Sequence, residues 1–77
     1  MEQEFITIDH EIMDGLPVLS GTRFPVYIII EMLEEGLSFD DIKHEYPFLT
    51  TEQIKAAIHY ATQIVAKPTL TGTVTLN

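Results

Sequence analysis

The fold of this chain is decided by the stretch from Gly15 to Val26, which reads GLPVLSGTRFPV. Its two glycines and two prolines make it too irregular for an uninterrupted strand or helix. Pro25 fixes its own φ near the helical value, and its missing N–H costs nothing if it opens a helix. An apolar run follows it directly, and Gly21 supplies the freedom that a tight turn needs. The stretch is therefore predicted to end an N-terminal strand region and to begin the first helix.

The pattern before and after this stretch predicts short strands at the two ends of a mainly α fold. Phe5–Ile8 and Pro17–Leu19 are short and rich in β-branched and apolar residues, as strands are. The tail alternates apolar residues with threonine from Thr69 to Leu76, which also predicts a strand. We expect a single domain, 1–77, made of a strand region with its connector (5–24), a three-helix core (25–67) and a C-terminal strand or tail (68–77).

The first helix is predicted to run from Pro25 to Glu35, with Gly36 after its C-terminus. Its predicted core stripe is Val26, Ile29, Ile30 and Leu33. The helix is apolar around most of its girth, so it needs more cover than two short partners give. Either the strands cover the second face or a subunit interface does. For an interface in a homodimer, the predicted residues are Tyr27, Ile28 and Met32, with Leu70, Val74 and Leu76 from the tail.

The second and third helices form a helix-turn-helix candidate. Ser38 is the predicted N-cap of the second helix, which stops before Pro47. Thr50 is predicted to begin the third helix in a capping box with Gln53, and Pro68 to end it. Their predicted core residues are Phe39, Ile42, Tyr46, Ile54, Ala57, Ile58, Ala61, Ile64 and Val65. In a DNA-binding protein of this kind the third helix enters the major groove, and the residues suited to contact DNA are Arg23, Thr51, Lys55, His59 and Gln63.

Composition limits the partners of the chain. Twelve acidic and four basic residues give a net charge of −8. Binding to a phosphate backbone depends on lysine and arginine, so this balance is unfavourable for nucleic acid. It suits a partner with a basic surface, such as the positively charged groove of a nuclease. Acidic charge also keeps a small protein soluble, and composition alone leaves both interpretations open.

Several classes of protein are not expected. The chain has no cysteine, which excludes disulfides and thiolate metal sites. The histidines have no ligand spacing, and the acidic cluster Asp9, Glu11 and Asp14 has no calcium-loop pattern. No serine or threonine has a local base, and no Gly-rich phosphate loop is present. We expect a cytoplasmic protein that is not an enzyme, with no metal, cofactor, signal peptide or membrane helix.

Arg23 has two interpretations. In the structural one, it pairs with a nearby carboxylate, Asp14 or Glu11, or with backbone carbonyls. In the functional one, it contacts a phosphate or a partner from a rigid turn. The structural interpretation is the one that local sequence favours.

The opening stretch also resembles a known signature. GLPVLSGTRFPV looks like the pattern GkPvirGTRipV of a small prokaryotic family, domain of unknown function 433. The resemblance continues in order over about residues 5 to 62. The matching positions are Leu33, Gly36, Ser38, Asp41, Ile42, Tyr46, Pro47, Leu49, Thr50, Ile54, Ala57, Tyr60 and Ala61.

The resemblance implies a fold and a role. The fold is helix-turn-helix-like, of the homeodomain-like class. The implied role is the antitoxin half of a toxin–antitoxin pair, with a PIN-like ribonuclease as the usual partner. Autorepression through DNA binding is compatible with that role. The alternatives are a dimeric helix-turn-helix DNA-binding regulator without a toxin, and a purely structural dimer. The family pattern assigns no catalytic residue.

Overall fold

The structure is a computed structural model and describes residues 5–66. The predicted mainly α class with three helices is confirmed. The predicted C-terminal strand, including Leu70, Val74 and Leu76, lies outside the described residues. In chain order the elements are β1 (Ile6–Thr7), β2 (Val18–Leu19), α1 (Val26–Glu34), α2 (Phe39–Glu45) and α3 (Thr51–Ala66).

The two strands pair antiparallel and are tied to the start of α1. Ile6 lies opposite Leu19 in the sheet. The N–H of Val26, the first residue of α1, donates to the carbonyl of Pro17 at 2.9 Å. The two predicted N-terminal strands are therefore confirmed, and β1 is shorter than predicted because its partner strand has only two residues. Ile8, which follows β1, is 59% exposed.

The connection between the strands reverses through left-handed backbone. Met13, Asp14 and Gly15 have φ values of 51°, 57° and 87° in succession. Such values are uncommon outside glycine. The Gly15 N–H donates to the carbonyl of Ile12, and the Leu16 N–H to that of Met13, each at 3.0 Å. The chain therefore reverses direction at Asp14 and Gly15, between the two strands.

α1 ends in a Schellman motif. Gly36 has a φ of 94°, the left-handed conformation that glycine adopts without strain. Its N–H donates to the carbonyl of Leu33 at 3.0 Å, and the N–H of Leu37 donates to that of Met32 at 3.1 Å. This is the pair of bonds that closes such a helix end. The predicted end of the first helix is confirmed.

The core draws residues from every element. The fully buried side chains with the largest volumes are Val18, Leu19, Ile29, Ile42 and Ile54. α1 contributes Val26, Ile29 and Met32, whereas Ile30 and Leu33 are half-buried. The side of α1 that faces the core is therefore rotated about the helix axis relative to the predicted stripe. Seven of its nine residues are apolar, so periodicity along the sequence did not determine which face the other elements cover.

The C-terminal half of α3 has less cover than predicted. Ile54 and Ala57 are buried. Ile64 is 51% and Val65 is 82% exposed, so the prediction of an inward stripe along the whole helix is wrong for these two. α3 has 16 residues and α1 has nine. At about 1.5 Å per residue, α3 is about 10 Å longer, and α1 covers only part of it.

Capping boxes begin both later helices; the one in α3 was predicted, whereas for α2 only the N-cap Ser38 was predicted. In α2, the Asp41 N–H donates to Ser38 Oγ and the Ser38 N–H donates to Asp41 Oδ2, each at 3.0 Å. In α3, the Gln53 N–H donates to Thr50 Oγ1 at 3.1 Å, and the Thr50 N–H donates to Gln53 Oε1 at 2.9 Å. Each box satisfies two backbone donors that a helix start leaves unpaired.

The α2 box predicts a measurable pKa. Two hydrogen bonds with Ser38 lower the pKa of Asp41. The bond from the Ser38 backbone has the larger effect, and the bond with its side chain has the smaller one. In the variant Ser38→Ala we expect the pKa of Asp41 to rise toward its ordinary value, measured by NMR titration of the carboxyl carbon. A carboxyl group whose pKa is lower in the folded than in the unfolded state stabilises the fold at pH values above its unfolded pKa. This stabilisation is lost as the pH falls through the folded pKa. The variant should therefore lose less stability than the parent as the pH falls below about 4.

Thr50→Ala is the matched control, because it removes the equivalent hydroxyl from α3. It should lower the free energy of unfolding by about 1 kcal/mol and leave the pKa of Asp41 unchanged. An equal rise of the Asp41 pKa in both variants would contradict the assignment to Ser38.

Candidate interaction surfaces

The signature stretch folds into a turn that is closed by one threonine. Thr22 Oγ1 donates to the carbonyl of Leu19 at 2.7 Å and accepts from the N–H of Phe24 at 2.9 Å. The Leu19 N–H donates to the carbonyl of Phe24 at 3.0 Å. Gly21 lies at the left-handed position, with a φ of 81°. The turn therefore needs a residue without Cβ strain at position 21 and a hydroxyl at position 22.

Arg23 is exposed on this turn and unpaired. Within residues 5–66 its guanidinium makes no hydrogen bond or ion pair. The predicted pairing with Asp14 or Glu11 is therefore wrong. Thr22 makes the side-chain hydrogen bonds that close the turn, so the turn does not need the arginine. A pair between exposed side chains also gains little in water.

An aromatic cluster connects the signature turn to the segment between α2 and α3. The ring of Phe24 lies 5.0 Å from that of Tyr46 and 5.4 Å from that of Phe48, centroid to centroid. Tyr46 and Phe48 are 6.2 Å apart, and all three pairs are edge-to-face. Edge-to-face pairs add about 0.5–1.5 kcal/mol each beyond the burial of their area. This cluster was not predicted from the sequence, although each ring is in a residue directly next to a proline.

One predicted DNA contact on α3 is already engaged within the protein. Thr51 is half-buried, and its Oγ1 accepts a hydrogen bond from Lys43 Nζ at 2.8 Å. The bond brings a lysine of α2 to the start of α3. Lys43 was not among the predicted contacts, because nothing in its sequence position indicates which helix it reaches.

The other predicted contacts on α3 follow at intervals of four residues. Lys55, His59 and Gln63 are exposed. Residues four apart on a helix are neighbours on one face. Lys55 and His59 border a shallow depression with Phe5, Glu52 and Ala56. The structure thus places Thr51, Lys55, His59 and Gln63 along one helix, whereas Arg23 belongs to the separate signature turn.

The acidic residues lie on the surface. Every aspartate and glutamate between residues 5 and 66 is exposed. Many are close together in the segment 31–45, which we call the acidic segment. It spans the end of α1, the Schellman motif and α2, and its acids are Glu31, Glu34, Glu35, Asp40, Asp41 and Glu45.

Two further kinds of site are absent from residues 5–66. No three histidine, aspartate or glutamate side chains in that range are grouped so that they would hold a metal ion. None of the helices described is both long and apolar enough to cross a bilayer.

An apolar groove lies between α1 and the C-terminal half of α3. Its two adjoining sections share Ile30, Ala61 and Val65. Tyr27 and Ile64, both about half exposed, border one section. The described residues that line the groove are all uncharged.

The predicted interface residues of α1 separate in the structure. Tyr27 borders the apolar groove and is 50% exposed. Met32 is a core residue, only 8% exposed, and Ile28 is half-buried against the core. Ile30 and Leu33, which were predicted to be core, are half-buried against the core like Ile28 and also line the groove. Of the predicted interface residues of α1, only Met32 is fully part of the core.

Comparison with known proteins agrees with this architecture. The family described as "Protein of unknown function (DUF433)" matches residues 6–61. The chain belongs to the DUF433 family. The uncharacterized protein y4eO of Sinorhizobium fredii (strain NBRC 101917 / NGR234) is 36% identical over 59 residues. The matched part covers 77% of this chain and 27% of that protein, so the chain spans about a quarter of this relative's length.

A solved DUF433 structure has a similar fold. The crystal structure of a DUF433 member protein from Anabaena variabilis ATCC 29413 superposes with a TM-score of 0.72 at 31% sequence identity. The similarity covers 79% of this chain and 60% of that one. The DUF433 match starts at β1 and stops at Ala61, so Ile64 and Val65, which border the apolar groove, lie beyond it.

The hydroxyl in the DUF433 signature turn predicts a specific mutational pattern. In Thr22→Val, the Phe24 N–H and the Leu19 carbonyl both lose a hydrogen-bond partner. We expect the free energy of unfolding to fall by about 1–3 kcal/mol, measured by urea denaturation. Thr22→Ser keeps the hydroxyl and should retain most of the stability. Equal losses in the two variants would show that the methyl group, not the hydroxyl, matters.

Proposed function

We propose that this DUF433 protein is a non-enzymatic binding protein, the antitoxin of a toxin–antitoxin pair that binds and neutralises a PIN-like ribonuclease. Support comes from the exposed acidic segment and from the role that the signature implies. The observation that carries the proposal is the concentration of six exposed acids within the segment 31–45.

The acidic segment suits a surface that binds RNA. A ribonuclease holds the phosphates of its substrate with basic side chains. Carboxylates placed where the phosphates bind compete with the substrate for those side chains. Glu31 and Glu35 are four residues apart, so they are neighbours on one face of α1. Asp40 and Asp41 lie in the first turn of α2, where the helix dipole favours negative charge.

The local structure orders the backbone that carries these carboxylates. The Schellman motif ends α1, and the capping box of Ser38 and Asp41 begins α2. The connection between the two helices therefore has its backbone hydrogen bonds made on both sides. A surface ordered before binding loses less conformational entropy when the complex forms.

The test uses the nuclease encoded next to the gene for this chain. We expect the full chain to co-purify with that protein and to inhibit its ribonuclease activity. In the double variant E31Q/E35Q, the dissociation constant should rise about tenfold, which corresponds to about 1.4 kcal/mol, and its salt dependence should decrease. Isothermal titration calorimetry in a salt series measures both.

The matched control is D9N/E11Q, which removes the same charge from the hairpin connection. The amide introduced by D9N keeps an oxygen for the hydrogen bond that the Glu11 N–H makes to the Asp9 side chain. The affinity of this variant should be close to that of the parent. An equal loss in the two double variants would assign binding to net charge rather than to the acidic segment. A neighbouring protein that is no nuclease, or that does not bind, would overturn the proposal.

A second candidate function is DNA binding, alone or as autorepression. It is favoured by the face of α3, where the lysine bound to Thr51 adds a second cation near Lys55. We expect a gel shift with the chain's own promoter that weakens steeply as salt rises, because phosphate contacts release counterions. Lys55→Ala should reduce the shift and its salt slope, whereas Ile8→Ala should change neither. No shift at the lowest salt would exclude this function.

A further inference from the structure

We infer that the apolar groove is the interface of a homodimer, in which the C-terminal half of α3 from one copy packs into the groove of the other. The inference goes beyond the proposed function, because the interface involves only this chain. It also assigns residues: Tyr27, Ile30, Ala61, Ile64 and Val65 form the contact.

Two of the side chains that line the groove are themselves exposed and apolar. Ile64 and Val65 are 51% and 82% exposed and line the same groove that runs between α1 and α3. A concave apolar surface with projecting apolar side chains at its edge meets its own copy across a two-fold axis, because each copy then supplies both the projection and the recess. This is the geometry of an isologous interface.

The distribution of charge selects a second copy as the occupant. The chain carries a net charge of −8, so two copies repel one another through most approaches. The described lining of the groove holds no charged residue, although 21% of the chain is charged. Through this face two copies meet without placing like charges in contact. The groove offers no carboxylate to a basic partner, because the carboxylates of the acidic segment lie elsewhere on the surface.

The size of the protein points the same way. A chain of 77 residues buries a small core, and small domains commonly gain stability by oligomerisation. Each apolar Å² removed from water contributes about 25 cal/mol. Burying the half-exposed Ile64 and the largely exposed Val65 on both copies adds to that core without new polar groups to satisfy.

Analytical ultracentrifugation of the full chain tests the inference. We expect the parent to have about 17 kDa, twice its 8.7 kDa. In Val65→Lys the dissociation constant of the dimer should rise at least about 100-fold, because two ammonium groups are brought into an apolar interface. A lysine near the C-terminus of α3 agrees with the helix dipole and reduces the negative charge, so neither helix damage nor added repulsion explains the loss.

Ile8→Lys is the matched control. Ile8 is 59% exposed, follows β1 and does not line the groove, so this variant should remain dimeric. Circular dichroism checks that both variants keep their helix content. If Val65→Lys fails to fold, Val65→Cys replaces it. The chain has no other cysteine, and a short bismaleimide should join two copies at position 65 but not in Ile8→Cys.

Three results would overturn the inference. A parent that is monomeric at about 100 µM would exclude the dimer at any ordinary affinity. The parent would also be monomeric if residues 67–77 of the same chain covered the groove. In that case, deletion of those residues would cause the chain to self-associate. A Val65→Lys variant that stays dimeric, or an Ile8→Lys variant that dissociates equally, would place the interface elsewhere.

Discussion

The hydroxyl of Thr22 makes the two side-chain hydrogen bonds that hold the turn between the sheet and α1. It donates to Leu19 of β2 and accepts from the N–H of Phe24, so it closes the turn between the sheet and α1. Once that turn is closed, Phe24 stacks edge-to-face with rings from the segment between α2 and α3. One local interaction thus ties the hairpin, the first helix and the helix-turn-helix segment together. In a core this small, each such connection is a large share of the stability.

The surface is divided among three different chemistries. The acidic segment crosses the junction of α1 and α2, a small group of basic side chains follows α3, and the apolar groove lies between α1 and the end of α3. The carboxylates, the basic side chains and the side chains that line the groove belong to different residues. The proposed roles therefore do not compete for the same side chains. A dimer through the groove would also present each of the other two surfaces twice, which increases avidity toward a partner with two sites.

Much of this architecture was predictable because its signals are local. A capping box needs only a hydroxyl and an acceptor three residues apart, and the box predicted for α3 forms. Gly36 ends α1 as predicted, since a left-handed position after a helix favours glycine. The face of α1 was not predictable in the same way. With apolar residues on nearly all sides, its rotation depends on where the sheet and α3 pack, and this exchanged Met32 with Ile30.

The sequence by itself determined the helices and their ends, the strand hairpin, the signature that places the chain in DUF433, and the acidic balance. These depend on residues close together in the chain or on composition alone. Only the tertiary structure decided that Arg23 has no ion-pair partner among residues 5–66, that Lys43 bonds to Thr51, that three aromatic rings meet, and that Val65 borders an open groove. Each of these is a relation between residues on different elements, and their distances follow from packing rather than from spacing along the chain.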